Sequence, residues 1–285
     1  MYQAGNASIS FAKPPRLQRT RAHARVVFKN VNGRAALDEL YQSGSAKIRL
    51  PRVYDQIPVG VIINTSGGVT GGDRLVYEAR AREQTHAIVA SQTAERAYRS
   101  PGGSGEIASR LTVEKGAFLE WLPQEAILFD HSSLTRTLSA DLAEDARLLA
   151  IESVVIGRTA MRETVRQLSF ADRWRIRRNG RLVFADDIRL NGDPARILKG
   201  TATASGAHCF ATLLDCRPDA EDHLQSARSA LQAATKDCKI TAAASAWNDI
   251  LVARFIAHDS RHLKSALMAF LERYRNRPLP RVWYC

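Results

Sequence analysis

From Val26 to about Leu214 the apolar residues of this chain recur mostly at every second position. Ile107, Ser109, Leu111 and Val113 alternate with Ala108, Arg110, Thr112 and Glu114; Lys115-Gly116 interrupts, and Ala117 to Trp121 resumes the pattern. Successive side chains of a strand point to opposite faces, so a period of two marks strands with one buried face. Asn32-Gly33, Asn179-Gly180 and Asn191-Gly192 supply the paired positive φ angles of two-residue hairpin turns. The second reads most cleanly, with Arg173 to Arg178 before the turn and Arg181 to Ala185 after it. Repeated short strands with turn signals predict a mostly β fold, a β-rich α+β body with several hairpins.

The tail changes period. Asp219 to Thr235 puts Leu224, Ala227, Leu231 and Ala234 at helical spacing behind Pro218, with Asp219 as the expected cap. Ser260 is the expected cap of a second helix, whose apolar stripe is Leu263, Ala266, Leu267, Phe270, Leu271 and Tyr274. Arg273 and Arg275 suit its negative end and Pro278 stops it. Ile240 to Trp247 and Ile250 to Ala257 read as two strands around Asn248-Asp249. No Pro/Gly/Ser-rich linker separates tail from body. Residues 1–285 are therefore expected to form one domain, with a partly irregular N-terminal segment (1–25) and a helix-containing tail (217–283).

Asn64-Thr65-Ser66-Gly67-Gly68-Val69-Thr70-Gly71-Gly72-Asp73-Arg74-Leu75 carries four glycines in six positions, directly behind the apolar run Val59 to Ile63. A dinucleotide fingerprint needs G-x-G-x-x-G opening a helix, and a P-loop needs Lys-Ser/Thr after its last Gly. Here the spacing is GG-x-x-GG, Asp73-Arg74 follows, and Leu75 to Arg82 alternates like a strand. A tight hairpin crossing with bulges fits this sequence better than a phosphate cradle.

No catalytic constellation is visible. G-x-S-x-G, H-E-x-x-H and C-x-x-C are all absent. His258 and His262 are four apart, but a cap at Ser260 leaves His258 outside the helix. His208 and Cys209 are neighbours on a strand and face opposite ways. Four cysteines (Cys209, Cys216, Cys238, Cys285) make no disulfide framework, no apolar run approaches ~18 residues, and the N-terminus has no signal-peptide pattern. A cytoplasmic protein without a membrane segment is expected. The net charge of +12 raises nucleic-acid binding as the alternative function. Its densest cluster (Arg173, Arg175, Arg177, Arg178, Arg181) alternates with Trp174 and Ile176, which describes a strand with one basic, solvated face. Such a face also suits an acidic protein partner. Glu125 and Asp130 stand among Ala126, Ile127, Leu128 and Phe129, where ionised carboxylates need partners; Arg99 and Arg158 are the candidates.

Several blocks together resemble a known family. The Gly-rich segment through Leu75 follows Leu50-Pro51-Arg52-Val53; then come Tyr98-Arg99-Ser100, Leu119-Glu120-Trp121-Leu122-Pro123-Gln124-Glu125 with Phe129-Asp130, Gly157-Arg158 with Arg162-Glu163, and Leu279-Pro280-Arg281-Val282-Trp283. In this order, over about residues 16 to 283, they are similar to the UreD (UreH) urease accessory proteins. Asn64-Thr65-Ser66 stands where the family more often has His-Pro-Pro, and Thr93 to Ala97 is a looser version of its segment. The resemblance implies an elongated, helically stacked β-sheet body with about two C-terminal helices. It implies a non-enzymatic scaffold or metallochaperone that joins UreF, the GTPase UreG and urease apoprotein, with self-association possible within the complex. GTP-dependent insertion of nickel into urease would follow, Ni²⁺ being handled transiently through a water-filled passage, with no tightly bound cofactor and no nucleic acid. Nickel in transit suits loosely held oxygen ligands better than a thiolate cage. On their places in these motifs, Asp73, Glu125, Asp130 and Glu163 are candidates for the nickel path or an interface. Gly67, Gly68, Gly71 and Gly72, with Asp73 and Arg74, are expected to set the shape of the loop.

Overall fold

Strand β12 (Arg147–Ile156) is buried at every position after its first. A strand apolar on both faces needs a layer on each side, and the fold supplies them. The computed structural model describes residues 18–52, 57–158, 161, 163–236 and 239–285. Sheet A runs in the order β14 (Arg181–Gly192), β13 (Leu168–Arg178), β11 (Ser133–Leu142), β8 (Gly105–Val113), β5 (Arg74–Ala81), β1 (Arg21–Val31), β2 (Arg34–Ser43). Sheet B runs β16 (Ile240–Trp247), β17 (Ile250–Ala257), β15 (Cys209–Cys216), β12, β9 (Phe118–Leu122), β6 (His86–Ser91), β4 (Val59–Asn64), β3 (Ala46–Arg49). The short strands β7 (Glu95–Ala97) and β10 (Ala126–Leu128) extend it.

One core lies between the sheets, including Phe28, Leu75, Leu111 and Leu138 from sheet A and Leu119, Trp121 and Leu148 from sheet B. The second lies between the other face of sheet B and the helices α2 (Leu224–Thr235) and α3 (Ser260–Arg275). There Phe255 and Phe270, both fully buried, meet edge to face with ring centroids 5.4 Å apart. Truncating either to Ala would cost about 3–5 kcal/mol.

Between β4 and β13 the chain alternates between the sheets, so that β5, β8, β11 and β13 stack in parallel in one and β4, β6, β9 and β12 in the other. Each A–B circuit is one turn of a coil, and this is the helically stacked β body. Of the described residues 52% are in strands and 15% in helices, with the longer helices at the C-terminus.

Several local expectations change. The Gly-rich segment is not a hairpin: it carries the chain from β4 in sheet B to β5 in sheet A. Asn32-Gly33 and Asn179-Gly180 do close hairpins, each with two positive φ angles, as does Asn248-Asp249. Asn191-Gly192 does not; it ends β14 opposite Leu168 and leads into the short helix α1 (Pro194–Ile197). Strand β1 begins at Arg21, inside the segment expected to be partly irregular. Asp219 caps no helix. Its carboxylate takes the Arg217 fork and His223, while a 3-10 turn (Glu221–His223) leads into α2. The cap of α3 is Asp259, extended at φ −136° and accepting from the N–H groups of Arg261 and His262, and Ser260 is the first helical residue. Residues 1–17, Val53, Arg162 and Cys238 lie outside the described residues.

Candidate functional site

The crossover between β4 and β5 is built around close backbone contacts. Gly67 has φ +79° and Gly72 φ +90°, which glycine adopts without strain. At Gly68 a Cβ would fall on the Tyr98 ring and the Arg96 carbonyl; at Gly71 it would fall on Ser100 Oγ and the Gly102 carbonyl. The N–H groups of Gly67, Val69, Gly72 and Asp73 are spent on the carbonyls of Asn64, Arg96, Ser104 and Thr70. A phosphate cradle would need those donors free. Asp73 is buried and structural: Oδ1 accepts from the Thr20 N–H (2.7 Å) and Oδ2 from the Thr70 N–H (2.9 Å). Arg74 sits at the start of β5, 3.6 Å from Glu106.

The other candidate carboxylates separate into two settings. Asp130 and Glu163 come together. Asp130 Oδ1 accepts from the N–H groups of Arg166 and Gln167, and Glu163 accepts from the Asp130 N–H (3.2 Å) and from Arg158 Nε (2.9 Å). Burial pushes both carboxyls up, but for Asp130 the backbone N–H groups, and for Glu163 Arg158 and backbone N–H groups, outweigh it and hold each below its ordinary value. Arg158 therefore pairs with Glu163 rather than Asp130 or Glu125, and its guanidinium covers the Phe129 ring at 4.2 Å. Arg99 makes no ion pair with either candidate among the described residues; its carbonyl accepts from Thr70 Oγ1. Glu125 faces the helical layer, beside Ser153, Ser260 and Lys264.

None of these four acids lines the chamber that opens behind the glycine crossover. This cavity of about 90 Å³ lies between the sheets, with Asn64, Gly67, Tyr77, Glu95, Gln124, Arg136 and Glu152 in its walls. A water needs about 10–15 Å³ of such space, so the chamber has room for several. No His or Cys lines it. Arg136 and Asp172 are partners in the parallel register of β11 and β13, and the guanidinium Nη2 meets Asp172 Oδ2 at 2.5 Å. Its Nε lies 2.9 Å from Glu152 Oε2 but donates to Asp172 Oδ1, so Glu152 Oε2 accepts no hydrogen bond. Trp121 Nε1 donates to the other Glu152 oxygen at 3.3 Å. Tyr77 Oη and Gln124 Oε1 are likewise buried without a protein partner.

One arginine thus serves two buried carboxylates. Burial pushes the Glu152 carboxyl up; Arg136 opposes this and Asp172 adds to it. Burial also pushes Glu95 up to about 7, against hydrogen bonds from Asn64 Nδ2 and the Arg96 N–H. When Glu95, Glu152 and Asp172 are all ionised, Arg136 and Arg96 together still leave one negative charge uncompensated in a space with unpartnered oxygens. Such a chamber takes up a proton, water or a cation.

A family model described as "UreD urease accessory protein" matches residues 20–284. The chain belongs to the UreD family. It is 40% identical over 272 residues to a protein of Azorhizobium caulinodans named Urease accessory protein UreD, covering 95% of this chain and 99% of that one. Proteins of the same name from Rhizobium rhizogenes (42% over 273 residues, 95% and 98% covered) and Sinorhizobium medicae (43% over 267 residues, 93% and 96% covered) are similar to it.

Side chains of the LEWLPQE segment and the C-terminal Val282-Trp283 make internal contacts. Glu120 is buried against Arg275 and His86; Gln124 Nε2 donates to the Val282 carbonyl, and Trp283 Nε1 to that of Leu122. The chamber acids went unread, although Glu152 is a lone acid in the apolar run Leu148 to Ile156, and Arg136 and Asp172 occupy inward positions of alternating strands. Among the described residues no three His, Cys, Asp or Glu side chains gather as a metal-holding group. Nor is any helix among them long and apolar enough to cross a membrane.

Proposed function

We propose that this chain is a non-catalytic accessory protein of urease maturation. It acts in the cytoplasm, binds urease apoprotein together with UreF and the GTPase UreG, and takes part in GTP-dependent nickel insertion. The observation that carries this reading is the UreD match over residues 20–284. The chamber adds a physical reason. Its oxygens come from Glu95, Glu152, Gln124 and Tyr77, with no thiolate or imidazole to retain the ion. Nickel is cargo here, and a route that must release it is served by weak oxygen donors and water. Glu152 and Glu95 would supply the negative charge that draws the cation in, while Arg136 keeps Asp172 from binding it. In this reading Asp73, Asp130 and Glu163 hold loops in shape rather than touch nickel.

The test is urease activation in cells carrying the cognate urease subunits and the other accessory proteins. Omitting this chain should abolish activity and bound nickel; full activation without it would overturn the maturation role. Glu152→Gln should lower activation roughly tenfold at limiting nickel, with recovery at excess nickel and unchanged co-purification with UreF. Activation at the wild-type level in limiting nickel would remove the chamber from the route.

A further inference from the structure

Sequence spacing leaves His208 and His258 each without a second ligand; the β15–β17 ladder supplies one to both. Its terminal antiparallel pair is Cys209 opposite Ala257. His208 and His258 are the next residues outward, so they continue the ladder across from one another. The His208 N–H donates to the Ala257 carbonyl at 3.1 Å, and its carbonyl accepts from the Ile156 N–H at 2.9 Å. These bonds pin its backbone between β12 and β17. His258 is followed directly by Asp259, the cap of α3. Cys209 and Ala257 are buried in the helical layer. Alternation turns the two histidines to the other face, where both are exposed. Their ring centroids lie 6.3 Å apart with the planes at 86°. Apart from this contact, neither ring has a hydrogen-bond or ion-pair partner among the described residues.

Two imidazoles on a fixed ladder are a chelate, because the backbone has already brought them together. Metal–nitrogen bonds of about 2.0–2.1 Å place two ligand rings with centroids roughly 4.5–6.5 Å apart, the separation growing with the N–metal–N angle. The observed 6.3 Å is at the open end of that range. A tetrahedral or cis arrangement needs the rings to close by roughly 1–2 Å, which exposed, unpartnered side chains achieve by rotation. Gly206, at φ +80°, would place a Cβ only 3.8 Å from His258 Cε1, so as glycine it keeps that side of the ring clear. Beside His208 a cavity of about 290 Å³ opens, walled also by Glu163, Val165 and Pro194, with room for the waters that would complete a coordination shell. Cys209 is excluded as a third ligand. It faces the other way, and burial, with Asp259 and Glu125, pushes its thiol up to about 12, so no thiolate forms.

We propose that His208 and His258 form a two-imidazole site for a divalent transition-metal cation of the Ni²⁺, Cu²⁺ and Zn²⁺ class. Imidazole suits these ions, whereas Mg²⁺ and Ca²⁺ prefer oxygen ligands. Two protein ligands leave the remaining positions to water, so the ion is held at the surface and exchanges readily. The site shares no residue with the oxygen-lined chamber and does not depend on the urease reading. A bound ion ties the start of β15 to the end of β17, directly before α3.

Isothermal titration of the untagged full chain with Ni²⁺ at neutral pH tests this. Saturable binding with a Kd below about 1 mM is expected. His208→Gln and His258→Gln, each with an unchanged circular dichroism spectrum, should weaken it at least roughly tenfold, the loss that even a residue behind a ligand produces. His262→Gln, in the first turn of α3, and Glu152→Gln, in the chamber, should leave it unaltered. Zn²⁺ should compete for the site and Mg²⁺ should not. Saturating Ni²⁺ should also raise the melting temperature of the unsubstituted chain, and of neither His208→Gln nor His258→Gln. No saturable binding, undiminished affinity in both of those variants, an equal loss in His262→Gln or Glu152→Gln, or displacement of Ni²⁺ by Mg²⁺ would overturn the site.

Discussion

Gly67 and Gly71 sit four residues apart in one loop, yet they are glycine for different reasons. Gly67 needs its positive φ and has nothing within 4 Å of a would-be Cβ, so Gly67→Ala should cost only about 1 kcal/mol of backbone strain. At Gly71 the Cβ would strike the Gly102 carbonyl, and backbone must move. Gly71→Ala should therefore cost about 1–3 kcal/mol and lower the melting temperature more than Gly67→Ala does. The reverse order in a thermal melt would show that φ, not space, limits the crossover. The glycine spacing announced a sharply bent segment in the sequence. It did not announce what the backbone bends around, because Tyr98, Ser100 and Gly102 arrive from about thirty residues later. The chamber was hidden for a similar reason. Arg136, Glu152 and Asp172 each look like an isolated charge until the registers of two sheets bring them together.

At the level of elements, α3 offers a clean distinction. Asp259 and Ser260 are both good cap residues, and sequence alone favoured the serine. The extended backbone at Asp259 and its bonds to two N–H groups decide the matter. Asp259→Ala should cost about 1 kcal/mol and Ser260→Ala only a few tenths in chemical denaturation; equal costs would contradict the assignment. The strands themselves were legible, down to both ends of β16 and β17. Their sheet membership was not. Alternation reports that a strand has one buried face, and the same pattern serves a hairpin returning to its neighbour and a coil crossing to the other sheet. Thus the residues from Ile107 to Trp121, alternating on both sides of Lys115-Gly116, contribute β8 to sheet A and β9 to sheet B.

For the whole molecule, charge makes two predictions. Glu95 and Glu152 have carboxyls raised above the ordinary 4.5 by burial, so the folded chain holds protons that the unfolded chain has released. Their contribution to stability is complete below about pH 4.5 and is lost as pH rises through about 7. Asp130, Glu163 and Asp219, the last held down to about 2 chiefly by Arg217, act oppositely and only at acid pH. The melting temperature should fall between about pH 5.5 and 7.5, and Glu95→Gln/Glu152→Gln should flatten that slope. A wild-type slope retained in the double variant would assign the effect elsewhere. The net charge of +12 makes the second prediction. On sheet A, Arg110 pairs with Glu78, and Arg173 and Arg175 with Asp187, while Trp174 is 2% exposed and packs inward. With these arginines paired and Trp174 packed inward, the chain should bind single- or double-stranded DNA no better than other cationic proteins at about 150 mM salt. Tight, sequence-selective binding in fluorescence anisotropy would revive the nucleic-acid alternative.

Strand β1 lies between β2 and β5, antiparallel to the first and parallel to the second, with Arg21 opposite Arg74. On the ribosome, β1 and β2 emerge early and can pair at once through Asn32-Gly33. The other side of β1 must wait, its ladder groups open, until β4, the glycine crossover and β5 have been made. Asp73 then locks the junction by accepting the Thr20 N–H. Nascent chains stalled before β5 therefore present an unpaired strand side beside apolar residues, the configuration most prone to joining a neighbouring chain. Yield of soluble protein should depend on how quickly synthesis passes through residues 31 to 81.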